Sequence, residues 1–351
     1  MPDGGAGEAG VPGEAAAPCV AAVDCGTNST RLLIARADGV TLDRRMRITR
    51  LGAGVDSSGE LQPAAISRTL AVLREYGEAI TAAGASAVMG VATSAIRDAV
   101  NSASFLQPAA KLLGTELRVL SGLAEGQLSY RGATSELPSS RGPYLVVDLG
   151  GGSTELVCGT GDGAAAEVVS LDVGCVRVTE RFLGSDPPAR AELEAAQSYV
   201  AGLVQIVALE HPAFVAEARV AAGLPGGSLD VVLPGARGVG TPRGVHARRL
   251  VGLAGTVSAL TMLSLGLESY DRGSVHHAHL TRDEVSRLAG ILATEDVATR
   301  RSRRGMEHDR ADVIVGGTVV LLTIMEVLGY EELIVSESDI LDGMVAELLA
   351  G

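Results

Sequence analysis

Two short segments of this chain repeat one arrangement of an aspartate, glycines and small hydroxylated residues. The first is Val23-Asp24-x-Gly26-x-x-Ser29-Thr30-x-Leu32, and the second is Val147-Asp148-x-Gly150-x-x-Ser153-Thr154-x-Leu156. Each reads as an apolar strand, an acidic residue, a tight turn and a returning strand. Gly26 in one turn, and Gly150, Gly151 and Gly152 in the other, let backbone N–H groups approach a phosphate and donate to it. The hydroxyls of Thr27, Ser29, Ser153 and Thr154 and the amide of Asn28 add further donors. Asp24 and Asp148 cannot face phosphate directly, because like charges repel. Their place is beside a divalent cation or its waters, which bridge to phosphate. One such turn alone is more often an ordinary hairpin, but two matching turns in apolar hairpins favour phosphate.

The elements that must hold these turns follow from patterning. Val20–Val23, Arg31–Ala35 and Leu42–Thr49 read as strands, then a helix over Pro63–Ala83, a strand over Ala87–Val91 and a helix over Ser102–Leu113. Leu117–Leu120 is a strand and Gly122–Thr134 a helix, before a polar stretch, Ser135–Gly142, that could hinge. The pattern then starts again with strands at Tyr144–Val147, Glu155–Val157 and Glu167–Leu171. Helices are expected at Arg190–Glu210, Val257–Leu265, Arg282–Ala293, Asp312–Leu328 and Ile340–Ala350, with a strand at Leu333–Val335 and a long Gly/Pro-rich loop over Ala222–His246. A duplicated hairpin at near-domain spacing predicts two similar ribonuclease-H-like α/β halves facing a cleft, the actin/sugar-kinase/Hsp70 architecture. The expected division is a disordered tail over 1–18, a first domain of 19–138 plus 337–351, and a second of 139–336.

Composition bounds the chemistry. Of 351 residues 46% are hydrophobic but only 3% aromatic, with no Trp, which weighs against base stacking and single-stranded nucleic acid. The net charge of −13 repels polyanions at long range, so a phosphate-bearing substrate requires a locally positive site or a metal. Cys19, Cys25, Cys158 and Cys175 form no CxxC pair, and three lie in or beside apolar runs, so free thiols in a reducing cytoplasm are expected. Residues 1–18 carry Asp3, Glu8 and Glu14 but no Lys or Arg, unlike a secretory leader. The apolar run Val313–Met325 is too short to span a bilayer, so no membrane partner is expected.

AAVDCGTNSTRLLIA and YLVVDLGGGSTELV resemble the two phosphate-binding signatures of the exopolyphosphatase/guanosine pentaphosphate phosphohydrolase family. VATSAIRDAVN, VLSGLAEGQLSYRGA, SLDVGCVRVTERF, VGLAGTVSAL and HDRADVIVGG are similar to further family segments, in the expected order from about Val20 to the C-terminus. The resemblance implies a short, two-domain member of that family. It implies that Glu125 is the catalytic carboxylate that activates water, a task suited to a group that can orient water and accept its proton. It also implies that Arg97 contacts substrate phosphate, and that Asp148 and Glu155 surround a Mg²⁺ or Mn²⁺ site, with Asp24 beside the other turn. Gly174 and Arg177 match a family Gly-x-x-Arg turn that contacts phosphate or joins domains. Where the family has two adjacent Glu followed by Ala, this chain has Ala124, Glu125 and Gly126.

The function expected from the resemblance is release of orthophosphate from the end of inorganic polyphosphate, by an enzyme that forms a homodimer. Guanosine pentaphosphate is the alternative substrate. A small-molecule kinase of the same fold and a non-catalytic polyphosphate or nucleotide sensor remain open. Two further clusters have bland and functional readings. Arg300-Arg301-Ser302-Arg303-Arg304 is a solvated helix end or a guide for a polyphosphate tail. His276, His277 and His279 read as an exposed lead-in to the capping box Thr281-x-x-Glu284 rather than as metal ligands.

Overall fold

The computed structural model describes residues 17–216 and 247–350. The Ala222–His246 loop and most of the expected tail lie outside the described residues. The first sheet holds β1 (Cys19–Cys25), β2 (Ser29–Arg36), β3 (Thr41–Ile48), β4 (Ala87–Ala92) and β5 (Leu117–Val119), in the order β3-β2-β1-β4-β5. The second holds β6 (Tyr144–Leu149), β7 (Thr154–Gly159), β8 (Ala165–Leu171), β9 (Arg249–Leu253), β10 (His279–Thr281) and β11 (Glu332–Val335), in the order β10-β11-β9-β6-β7-β8. In each, three antiparallel strands are followed by strands parallel to the first, and β10 adds an antiparallel edge to the second sheet. The expected fold class is therefore present as two copies of one strand order.

The leading strands explain themselves. CVAAVDC and YLVVDL are buried along their whole length, as strands covered on both faces must be, and the short apolar runs carry no polar alternation. Helices fill the connections. They are α1 (Val55–Ser58), α2 (Pro63–Ala83), α3 (Ser94–Asp98), α4 (Ala103–Leu113) and α5 (Gly122–Thr134) between the first strands, then α6 (Cys175–Phe182) and α7 (Arg190–Glu210). After β9 come α8 (Ala254–Leu265), α9 (Arg272–Val275), α10 (Arg282–Ala293), α11 (Val297–Arg301), α12 (Ile314–Leu328) and α13 (Ile340–Ala350). The ends of α2 match the expectation because its signals are local. Pro63 occupies the first turn, where no N–H is needed, and Gly84 closes the helix in the left-handed region.

Outer cores lie behind each sheet, under α2 and α4 on one side and α7, α10 and α12 on the other. The inner faces meet around α5 and α13. Leu128 of α5 joins Leu341, Met344 and Val345 of α13 against Val20 and Ala22 of β1, while Tyr130 and Ala133 pack on Val146, Val157 and Val251 of the second sheet. The C-terminal helix thus returns to the first sheet. At the crossing, a Cβ on Gly132 would lie 1.8 Å from the Asp339 carbonyl oxygen, and one on Gly343 would lie 2.1 Å from that of Leu128. Because backbone rather than a flexible side chain is in the way, Gly343→Ala is expected to destabilise by about 1–3 kcal/mol or more. Equilibrium urea unfolding measures it.

Several expectations are corrected. β9, the central strand of the second sheet, and α6 were not anticipated as elements, since RLVGL is short and without period and α6 spans only two turns. His276 and His277 are half-buried with stacked rings, and only His279 is exposed. The dense basic run is not a free patch. Arg300 is buried and donates to Asp186 (2.8 Å) and the Ala311 carbonyl (3.0 Å), while Arg303 pairs with Glu295 and Arg304 with Glu268. Arg301 is exposed and donates to the His308 carbonyl instead of to a carboxylate.

Candidate active site

The two signature turns form the same structure to the level of single bonds. Gly26 N–H donates to the Ser29 carbonyl at 3.0 Å, and Gly150 N–H to that of Ser153, also at 3.0 Å. Strand register then places Asp24 opposite Arg31 and Asp148 opposite Glu155. The turns touch across the boundary between the halves. A Cβ on Gly151 would lie 3.1–3.2 Å from Thr27 and Asn28, and one on Gly152 would lie 2.6 Å from Ser94 Oγ and 2.9 Å from Thr27 Oγ1. The glycines permit this approach, and the cleft ends there in a closed floor.

Above that floor lies a cavity of about 470 Å³. Thr27, Asn28, Ser29, Gly150, Gly151, Ser153, Asp24, Asp148 and Glu125 all line it, whereas Gly152, Arg97 and Glu155, named from the sequence, are not among the lining residues. The Asn28 side-chain nitrogen is buried without a partner, a donor with nothing to donate to in the protein. Thr154, in contrast, gives its hydroxyl to the Val173 carbonyl at 2.6 Å and is not free for phosphate. Arg97 donates to the Leu120 carbonyl at 2.9 Å and stands 3.6 Å from Glu125.

Helix α5 carries the acidic chemistry because Ser121 caps it at the cleft edge and Glu125 falls in its first turn. Glu125 is 9% exposed, and its Oε2 is buried with no hydrogen-bond partner. One turn further along, Ser129 donates to Asp148 Oδ2 at 2.6 Å. Glu155 accepts from Ser170 at 2.8 Å and also bonds Ser153. The departures at 124 and 126 have packing causes. Ala124 is partly buried against the apolar layer of α13, and a Cβ on Gly126 would lie 2.6 Å from Val168.

The carboxyls are held away from their ordinary ionisation. Burial, then the neighbouring Glu155, Asp148 and Asp24, pushes Glu125 well up. Burial and then Asp148 raise Glu155 to about 8. Burial raises Asp148 and also Asp24, although Arg31 opposes it by pairing with Asp24 Oδ2 at 2.6 Å. The same Arg31 pairs with Asp339 at 2.6 Å, a carboxylate from the far end of the chain. Asp24 therefore has one oxygen bound to arginine and the other, Oδ1, buried and unpartnered.

This donor set fits Mg²⁺ or Mn²⁺. The ligands are hard carboxylate oxygens, two nearby carboxylate oxygens are orphaned, and each raised carboxyl would be relieved by a cation. Among the described residues no group of three or more His, Cys, Asp or Glu is placed to hold a metal ion by itself. A stability prediction follows. Glu155 ionises near pH 8 when folded and in the ordinary carboxylate range when unfolded, so its contribution is complete at acid pH and lost as pH rises through about 8. The metal-free protein is expected to melt lower at about pH 9 than at about pH 6, by roughly 2–4 °C per kcal/mol lost, with Mg²⁺ narrowing the gap. Calorimetry with and without the ion checks it.

Sequence reasoning did not single out Ser129, which holds Asp148, or Ser94, Arg44 and Asp339, which line the cavity. Ser94 stood in the quoted TSAIRDA segment, but nothing local marked Asp339, which reaches the site only because α13 returns to the first sheet.

Two matching sheets that close on a cleft, with a glycine turn from each and above them a buried carboxylate approached by Arg97, define a phosphohydrolase built on the actin/sugar-kinase/Hsp70 fold. A model of the Ppx/GppA phosphatase family matches residues 33–228 and 238–350, and the chain belongs to that family. It is 38% identical over 345 residues to Exopolyphosphatase 2 of Mycobacterium tuberculosis, covering 94% of this chain and 98% of that one. An exopolyphosphatase-like protein of known structure superposes with a TM-score of 0.82 at 31% identity, covering 95% of this chain and 99% of that chain. A Ppx/GppA family member from Aquifex aeolicus gives 0.73 at 31% identity, over 95% and 98% of the two chains. The protein is an enzyme, a phosphoanhydride hydrolase.

Proposed function

We propose that this enzyme removes the terminal phosphate of inorganic polyphosphate and releases orthophosphate. The observation that carries the reading is the buried Oε2 of Glu125, which accepts no hydrogen bond and faces Arg97 at 3.6 Å, above a floor made by two phosphate-type turns. Phosphates entering the cavity meet the backbone N–H groups of the turns and the Asn28 amide, with Arg97 behind Glu125. A chain end reaching the closed floor can go no further, which supports attack at the terminal anhydride. Glu125 orients a water in line with that bond and takes its proton as the P–O bond to the remaining chain breaks. Asp148, with Glu155 behind it and the free oxygen of Asp24 opposite, would hold Mg²⁺ or Mn²⁺. When bound, the ion supplies positive charge that offsets that of the phosphates. Location in the cytoplasm and assembly as a homodimer belong to the same reading, and four buried free thiols are consistent with a reducing compartment.

One observation favours guanosine pentaphosphate as a second substrate. Beyond the turns the cavity runs along Met46, Ala259, Met262 and Tyr270, an apolar wall for which a bare polyphosphate chain has no use. The deciding experiment incubates the protein with long polyphosphate, tripolyphosphate or guanosine pentaphosphate, each with Mg²⁺ or Mn²⁺, and follows orthophosphate. Polyphosphate is expected to give the highest kcat/KM. Higher kcat/KM on guanosine pentaphosphate would exchange the two readings, and binding without release from any of them would make the protein a sensor.

A further inference from the structure

We propose that Arg177 is a positioning residue of the cleft, a single guanidinium that sets the second phosphate turn and the Arg97 helix at one distance across the boundary between the halves. The proposal rests on the reading of those two elements as the phosphate grip. Arg177 lies in the first turn of α6, which belongs to the second half. Its Nε donates to the Gly152 carbonyl at 2.9 Å, one terminal nitrogen to Asp56 at 2.8 Å, and the other to Asp98 at 2.6 Å. The three acceptors come from three separate pieces of chain. Gly152 is in the second turn, Asp98 ends α3 immediately after Arg97, and Asp56 is in α1. A planar fork of fixed geometry satisfies all three in only one relative placement.

The backbone around Arg177 works to the same end. The N–H groups of Cys175 and Val176 donate to the carbonyls of Gly150 (3.0 Å) and Gly151 (2.9 Å), and Arg177 N–H also donates to Gly151 (3.1 Å). With Gly152 taken by the guanidinium, all three glycine carbonyls are engaged by α6 and none is presented to an anion. A Cβ on Gly174 would lie 2.5 Å from the Gly151 oxygen, so α6 sits directly on the turn. Further along α6, Arg181 pairs with Asp56 at 2.8 Å, and Glu180 accepts from Gly54 N–H at 3.1 Å. These contacts join the halves but reach neither the turn nor Asp98. Because Gly151 and Gly152 touch Thr27, Asn28 and Ser94, even a small slip between the halves would misplace donors on both sides of a bound phosphate.

The test compares Arg177→Met, Arg177→Lys, Asp98→Asn and Arg181→Met with wild type. It measures kcat and KM on tripolyphosphate with Mg²⁺, melting temperature, and calorimetric affinity for tripolyphosphate in a Glu125→Gln background. Arg177→Met is expected to lower kcat/KM on the order of 100-fold, with kcat falling as well as KM rising, because misalignment of reacting groups is felt in the transition state. Lys, a point charge, does not rescue it. Asp98→Asn loses less, the two losses do not add in the double variant, and Arg181→Met stays within about threefold of wild type. An Arg177→Met enzyme within about threefold of wild type, full rescue by Lys, or strictly additive losses would overturn the proposal. If Arg177→Met does not fold, Asp98→Asn decides alone, and wild-type kcat/KM in that variant overturns it. A wild-type protein that binds tripolyphosphate without releasing orthophosphate defeats the proposed function instead. Arg177 is then judged by affinity, expected to be about tenfold weaker in the Met variant.

Discussion

Glu125→Gln is expected to lower kcat by roughly 10²–10⁴ while leaving the affinity for tripolyphosphate within about threefold of wild type. The amide keeps the shape of the carboxylate and its place in the first turn of α5, but it cannot accept the proton of the attacking water. Phosphate affinity is preserved because the turns and Arg97 are untouched. The pH profile gives an independent check. Burial and the adjacent acidic groups raise the Glu125 pKa, and a general base works only when deprotonated. The rate of the wild-type enzyme therefore rises with pH through that raised value, and the rising limb disappears in the Gln variant. Added Mg²⁺ shifts the limb to lower pH, since positive charge near Glu155 and Asp148 removes part of what holds Glu125 protonated. A Gln variant with near-normal kcat, or one with an unchanged pH limb, would take Glu125 out of this role.

Asp148→Asn is expected to cost more activity than Asp24→Asn and to raise the Mg²⁺ concentration for half-maximal rate by roughly tenfold or more, as loss of a ligand or its support does. The two aspartates are equivalent by repeat and differ in what faces them. Asp148 has Glu155 across the strand pair, accepts a hydrogen bond from Ser129, and feels Arg31 through space without pairing with it. Asp24 has Arg31, which takes one of its oxygens and repels a cation from that side. Under the proposed function the halves would divide the work, the first turn gripping phosphate and the second holding the ion. Isothermal titration with Mn²⁺, independent of turnover, measures the difference directly. If Asp24→Asn proved the metal-sensitive variant, the roles of the two halves would be exchanged. Unchanged metal half-saturation in both would remove the site from this cleft.

Much of the fold was legible because its signals are local. The ends of α2 and the starts of α5 and α10 fall where Pro63, Gly84, Ser121 and Thr281 place them, and the duplicated Asp-x-Gly hairpins announce two similar halves before any contact is known. The repeat also put Arg31 and Glu155 at equivalent places, which the strand registers show. The basic run at 300–304 gave no sign that Arg300 is buried, because charge in sequence says nothing about pairing. Asp186, which holds Arg300, lies in a different part of the chain.

What the sequence determined by itself, then, is the pair of turns, their acidic residues and the hairpins that present them, all consequences of spacing within a few residues. The tertiary structure decided what each charge faces. Glu125, Asp148, Glu155 and Asp24 are raised together because burial removes water and brings them near one another, which no single segment encodes. Asp339 meets Arg31 only because Gly132 and Gly343 let α5 and α13 cross backbone to backbone. Arg177 joins Gly152, Asp56 and Asp98 only because the halves close on one another. Interactions across such distances depend on how the two sheets dock, and docking is set by the packing of many side chains at once rather than by any motif.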